Sequence, residues 1–465
     1  MKNSDDTDGR RRNTAGPGES RARGTLTSVI ALALALVVGA AGCSNPLDVE
    51  NPNNLVAGDL NIPQRLESAV NGALSTTTNA VGDMIAPYAV ATDQLQNIGS
   101  RDAWVQLDYG NVANESNEFT DGAFPSVTEA RYMADKAIRL AEKFDEEGTI
   151  PNRVDLARSY LYGALIYTTI GDMFDDFVIT EPSTEDAPPI GPSNMNTVYE
   201  TALNYLSTGM GVAQAEGASS LVTRMTALQA RIHFAMGVWN KLNPPGETPS
   251  NPLVSSQEAV SAAQTVLSRV DGDWRWDLQY TASTVDNGMG GWISDNYLNI
   301  SQEGDPGIVD LDEGLTNVDS ITFRDPIDTD TVPPMVEERV DGYSTEPQYT
   351  PITAVSAREM HLIVAEDHLA NGDTAEFVSE LNELRGLDGL TPYDPDTHSV
   401  TPMEMLQYSR KANLFLQGRR LADMYRFGEQ APLWQSSSAT VTTPGTFFPI
   451  TITEIRSNGA LGGGG

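Results

Sequence analysis

Apolar positions recur at helical spacing along most of the chain. In "VTEARYMADKAIRLAEKF", Val127, Ala130, Ala134, Ala137, Ile138 and Ala141 fall on one stripe. Glu129, Asp135, Arg139 and Glu142 lie off it, which predicts an amphipathic helix. Residues 156–170, "LARSYLYGALIYTTI", place Gly163 and Ala164 in mid-helix, where small side chains let a neighbouring helix come close. Helices are also predicted over 198–215 and 221–239, and over 63–74, 256–269, 354–369, 374–385 and 402–416. The joins are short, "DEEGTIPN" in the first pair and "GASS" in the second. Long helices with short joins fold back as antiparallel hairpins. The expected fold class is all-α, a tetratricopeptide-like stack of helix hairpins, although no clean repeat or intact consensus is present.

Two stretches break this pattern. Residues 272–353 are rich in Asp, Gly, Asn, Thr and Pro and lack helical periodicity. They read as a long irregular loop insertion carrying Trp274, Trp276, Tyr280, Trp292, Tyr297, Tyr343 and Tyr349. A connection of that length is functional or holds a small structure of its own. Residues 93–124 form a shorter stretch of the same kind, with Trp104 and Tyr109. Trp239, in "RIHFAMGVW", sits at helical spacing and reads as core.

The N-terminal region has a different character. Lys2, Arg10, Arg11, Arg12, Arg21 and Arg23 precede "VIALALALVV" at 29–38, which is followed by Gly39, Ala40, Ala41 and Gly42. A basic region, a short apolar run and a small-residue exit make a secretory signal. The run is too short to span a bilayer, which needs about 20 residues. Next comes Cys43, the only cysteine, so neither an internal disulfide nor a multi-thiolate zinc site is available. "AAGC" resembles a bacterial lipobox, with Ala40 in place of the commoner Leu. That resemblance implies removal of 1–42 and lipidation of Cys43; the mature chain, 43–465, is expected to form a single helical domain with the loop insertion at about 272–353. Acyl chains would anchor it at the membrane surface, and Ser44 in place of Asp is similar to an outer-membrane address. The alternative is an ordinary signal with an incidental cysteine.

Charge removes some partners. The chain carries −35; the segment 1–42 holds six basic and four acidic residues, which leaves −37 for the remainder. Such a field repels nucleic acid and anionic membrane surfaces, and it favours solubility.

Motifs for chemistry are scarce. There is no serine nucleophile elbow, P-loop or dinucleotide glycine motif. A glycosidase needs two placed carboxylates, and acids are too abundant here for such a pair to carry information. "GDMFDDF" and "DLDEG" read as solvated faces. His361 and His368 can share a helix face, but HExxH is absent and zinc is not expected. Asp305, Asp310, Asp312 and Glu313 make an oxygen-rich loop of the kind calcium prefers, without EF-hand spacing. A solvated loop is the default, and no cofactor is expected.

The C-terminal third carries ordered motifs. "REMHLIVAEDHLANGD" holds a Leu-Ile-x-Ala-Glu core in Leu362, Ile363, Ala365 and Glu366. "ELNELRG" supplies Leu381, Asn382 and Arg385, and "RKANLFLQGRRLADMYRFG" supplies Arg410, Leu414, Gly418, Arg420, Asp423 and Arg426. "FFPITITEIRSN" closes the series. Together these resemble the SusD/RagB family of outer-membrane nutrient-binding lipoproteins. Asn413 and Gln417 stand where the family pattern has glutamates, Leu416 where it has Phe, and Thr451 where it has Pro. "LDVENPNNLVAGDL" and "ARSYLYGALIYTTIGDMFDD" are similar to the family more loosely. On physical grounds Arg420 and Asp423 are spaced to pair. Gly418 suits a tight join between helices, and Phe447 and Phe448 can anchor the tail.

The resemblance implies a non-enzymatic, surface-exposed lipoprotein that captures a glycan or other nutrient oligomer. It would pass this cargo to a SusC-like TonB-dependent β-barrel transporter in the outer membrane. In that family, loops build the ligand surface. The loop aromatics here are Trp104, Trp274, Trp276, Trp292 and Tyr297, whose faces suit the apolar faces of sugar rings. Asp93, Asn97, Arg101, Asp102, Asn287 and Asn296 are the candidate polar rim. For each tryptophan the alternative is a plug that holds its loop to the core. A helical scaffold for peptides or proteins, and a glycan-degrading enzyme, are the other functional readings.

Overall fold

The structure, a computed structural model, describes residues 61–180, 186–300 and 323–462. The signal-like segment, Cys43 and the acidic residues 305–313 lie outside the described residues.

The predicted helices form, with ends set by local chemistry. After a 3₁₀ turn at Pro63–Arg65, α1 spans Leu66–Val90. It runs well beyond the expected end, because most of residues 75–90 are small or β-branched and they bury on several sides. A short strand β1 (Leu95–Asn97) and helix α2 (Asp102–Asp108) precede α3 (Glu118–Glu146). Asn117 starts α3 by accepting the Phe119 and Thr120 N–H groups. Then follow α4 (Arg153–Met173), α5 (Asn196–Ala215), α6 (Ser219–Leu242) and α7 (Gln257–Leu267). α4 packs between α3 and α5, α5 on α6 and α6 on α7. A Cβ on Gly163 would stand 2.7 Å from Ile138 Cδ1 and 3.0 Å from the Tyr205 ring, so the close approach expected there is real.

The stretch 272–353 is more structured than expected. It holds β2 (Arg275–Leu278), α8 (Gly288–Ser294), β3 (Leu298–Ile300) and α9 (Pro334–Thr345). Next comes β4 (Ile352–Ser356), which replaces the start of the helix expected from 354. β2 and β4 pair antiparallel, Arg275 opposite Ser356 and Leu278 opposite Ile352, and β1 pairs with β3, Leu95 opposite Ile300. These elements are too short to show a period, and β4 is buried on both faces, so it does not alternate. Ser356 then caps α10 (Ala357–Asn371). α11 (Thr374–Gly386), α12 (Pro402–Asn413) and α13 (Arg420–Phe427) complete the large helices. Two short ones, α14 (Ala439–Thr442) and α15 (Ile452–Ser457), follow.

Gly418, at φ +74, makes the tight turn between α12 and α13. Phe447 stacks on Trp239 at 5.9 Å, and Phe448 meets Tyr88 edge-on at 6.3 Å, so the tail is anchored as expected. The expected Arg420–Asp423 pair is not the one that forms. Asp423 binds Arg426 and Arg410, each at 2.9 Å, and Arg420 reaches Asp93 at 2.7 Å. Asn413 accepts from Arg358 at 2.7 Å, so the replaced glutamate position still serves a buried arginine.

"GDMFDDF" is not a solvated face. Asp172 is buried, ion-paired with Arg231, and accepts from the Tyr199 hydroxyl at 2.9 Å. Burial, with Asp176 beside it, pushes the Asp175 carboxyl up from its ordinary range to about 7. A raised carboxyl favours the fold at acidic pH, and that advantage fades as pH rises through about 7. Asp175→Asn is therefore expected to raise Tm by a few degrees at about pH 8. The gain should shrink below about pH 5, as thermal melts across pH will show.

Candidate functional site

The two irregular stretches meet through the β1–β3 pair. Ile98 N–H donates to Tyr297 O at 3.0 Å, and the Asn97 side chain bridges to Gly99 at 3.2 Å. Asp108 accepts the Asn97 backbone N–H at 3.1 Å. This corner sets Arg101 at the head of α2, facing the segment that carries Trp292 and Tyr297.

α8 is held by a close fit. Asn287 is fully buried and accepts the Gly290 N–H at 3.2 Å. Its amide donates to Thr350 O at 2.7 Å and the Tyr343 hydroxyl at 3.2 Å. A Cβ on Gly290 would overlap the Pro347 carbonyl oxygen, a backbone atom that cannot swing aside. Gly290→Ala is expected to cost about 2 kcal/mol or more by overpacking, read as a lowered urea midpoint.

An aromatic cluster results. Trp104 lies flat on Phe119, centroids 3.6 Å apart at 10°. Trp292 meets Trp104 edge-on at 5.4 Å, Phe119 at 5.0 Å and Tyr297 at 5.5 Å. The Arg101 guanidinium stands 5.5 Å from the Phe119 ring centre and 5.9 Å from that of Tyr297, and it pairs with Glu118. Arg101, Trp104, Glu118, Phe119 and Trp292 line a hollow of about 260 Å³ together with Asp83 and Gly122, and Tyr297 packs behind Trp292. Asp83 accepts from Asn79 at 2.9 Å and Ser126 at 2.7 Å, and burial raises its carboxyl. Half-buried rings with an exposed Arg–Glu pair at the rim can take one face of a flat, partly apolar ligand and bond to its hydroxyls.

Of the predicted residues, Trp104, Trp292, Tyr297 and Arg101 come together, with Asn97 shaping the corner beside them. Trp104 is fully buried, so it supports the hollow and offers no open face. Trp276 is elsewhere: it is buried in β2 beneath Arg224 at 5.7 Å, a core residue. Asp93 is also core. Burial alone would push its carboxyl up, but Arg420 and Lys411 outweigh that and hold it well below the usual carboxylate range. Asn287 is a buried cap, Asn296 takes φ +57 in the exposed turn before Tyr297, and Asp102 is an exposed residue in the first turn of α2. Trp274 lines a different hollow. Sequence reasoning missed Phe119, Glu118 and Asp83. Phe119 and Glu118 follow the capping Asn117, which was a legible signal; Asp83 sat beyond the expected end of the first helix.

Among the described residues no group of three or more His, Cys, Asp or Glu is placed to hold a metal. His361 pairs with Glu380 at 2.6 Å. No described helix is long and apolar enough to cross a membrane.

The fold is a stack of helix hairpins whose loops carry an aromatic hollow. Comparison with protein-family models gives no match, and comparison with curated proteins gives none. Solved structures do match. A SusD superfamily protein from Bacteroides thetaiotaomicron is 14% identical, covering 86% of this chain and 98% of its own, with a TM-score of 0.59. One from Bacteroides fragilis is 14% identical over 86% and 99%, with a TM-score of 0.57. A SusD-like carbohydrate binding protein from Bacteroides vulgatus is 12% identical over 79% and 84%, with a TM-score of 0.51. The chain has the SusD fold.

Proposed function

We propose that this chain is a SusD-like binding protein for a neutral glycan, with Trp292 as the stacking face, Tyr297 supporting it, and Arg101 and Glu118 as the polar rim. The observation that carries this reading is the convergence of the two loop stretches into one aromatic hollow on a SusD fold. The hollow's size fits one or two sugar rings, so the rest of an oligomer would trail over the surface. The bound glycan would pass to a SusC-like TonB-dependent barrel, and lipidated Cys43 would tether the protein to the outer membrane, facing outward. Binding by stacking and hydrogen bonds needs neither a cofactor nor a catalytic pair. The B. vulgatus neighbour's description as carbohydrate-binding supports the same class.

Affinity electrophoresis of residues 43–465 through a panel of neutral polysaccharides tests the reading. Retardation by at least one polymer, without release of reducing sugar, is the expected result. Reducing-sugar release would make it an enzyme, and no retardation by any polymer would overturn glycan binding. Pull-down from native outer membranes is expected to bring down a large β-barrel.

A further inference from the structure

Trp274 stands apart from the hollow just described, and its surroundings have a chemistry of their own. It lines a depression of about 740 Å³ with Gln214, Thr223 and Arg269. A second depression of about 480 Å³ holds Gln229, Gln257, Glu258 and His233. Arg269 lines both, so the two adjoin at that residue. α6 runs along them from Ser219 to His233, a length of about 20 Å at the helical rise.

The lining is largely uncharged, a mixture of apolar and polar groups, in a chain of net charge −35. Carboxamides and hydroxyls come from all three helices α5, α6 and α7, and the charged groups are few: Arg269, Asp271 and Glu258, with His233, which burial keeps neutral, beside the last. Among the described residues, the carboxamides of Gln214, Gln229 and Gln257 have no hydrogen-bond partner and Arg269 has no ion-pair partner. Each is therefore available to a ligand. A groove with so few charges offers little to a strongly charged occupant. Free amides and a tryptophan at one end match a hydroxylated chain with apolar ring faces.

We infer that this groove is a second glycan-binding site, which takes several consecutive sugar units of the same polymer. The inference rests on the glycan-binding reading above. Two sites on one chain raise the effective concentration of polymer at each, so a polymer gains avidity that a short oligomer lacks.

The test uses polymers identified by the panel, measured by affinity electrophoresis and titration calorimetry. Trp274→Ala is expected to weaken polymer binding about tenfold. Trp292→Ala is expected to keep residual polymer binding, which the double variant loses. Because Trp274 also packs against the core, Gln229→Ala/Arg269→Ala is measured in parallel; it removes exposed or half-exposed groups with no partners and should weaken the polymer in the same direction. Wild-type affinity in both groove variants, with Trp292→Ala alone already abolishing binding, overturns the second site and leaves the first intact. A groove variant that loses only the β-barrel in pull-downs assigns this face to a protein and also overturns it. A wild type that binds no glycan overturns both readings.

Discussion

Glu366→Ala should lower stability by about 3–5 kcal/mol, the cost of breaking a buried charge pair from one side. Glu366 has no exposed surface. Its carboxylate accepts both Arg426 terminal nitrogens and the Val254 N–H at 2.9 Å, and Arg410 lies 3.5 Å away. Arg426 is itself fully buried. Without Glu366, Asp423 alone would compensate two guanidinium groups, and the Val254 N–H would lose its partner. Urea unfolding should show a reduced midpoint with an unchanged slope. A change below about 1 kcal/mol would mean that the network adds little.

Trp292→Ala should weaken glycan binding about thirtyfold, equivalent to about 2 kcal/mol at a central aromatic contact. Trp292 touches Trp104, Phe119 and Tyr297 and forms one wall of the hollow. Removing it leaves Trp104 stacked on Phe119, with their support from α2 and α3 unchanged. Stability should therefore fall much less than binding, and Trp292→Phe should recover part of the affinity. Calorimetry beside thermal melts separates the two effects. Equal affinity in wild type and Trp292→Ala would remove this hollow from the glycan site.

The hairpin stack was legible because its signal is local. An apolar stripe such as Val127 to Ala141 follows from the helical repeat whatever lies opposite it. Gly163, Gly418 and the Phe447–Phe448 anchor were legible for a related reason: small, flexible or bulky side chains restrict what can pack there. The end of α1 was less so, since the threonines at 76–78 and Gly82 resemble a loop until their burial is known.

The site was only half legible. Composition marked the two loop stretches, but it could not separate a ring that faces a hollow from one that plugs a core. Trp276 and Trp292 look alike in sequence; the β2–β4 pair buries the first, and the α8 turn brings the second beside Arg101. The ion pairs were illegible for the same reason. Asp93 pairs with Arg420 across more than three hundred residues, and Asp423 chooses Arg426 and Arg410 over Arg420.

The amino-acid order by itself thus determined the all-α class, the hairpin order and the stretches that interrupt it, because backbone period and turn chemistry act over a few neighbouring residues. Only the tertiary structure decided which charges pair, which tryptophans are covered and where Trp274 lies relative to Trp292. Those outcomes depend on desolvation and contact between segments far apart in the chain, which no local pattern encodes.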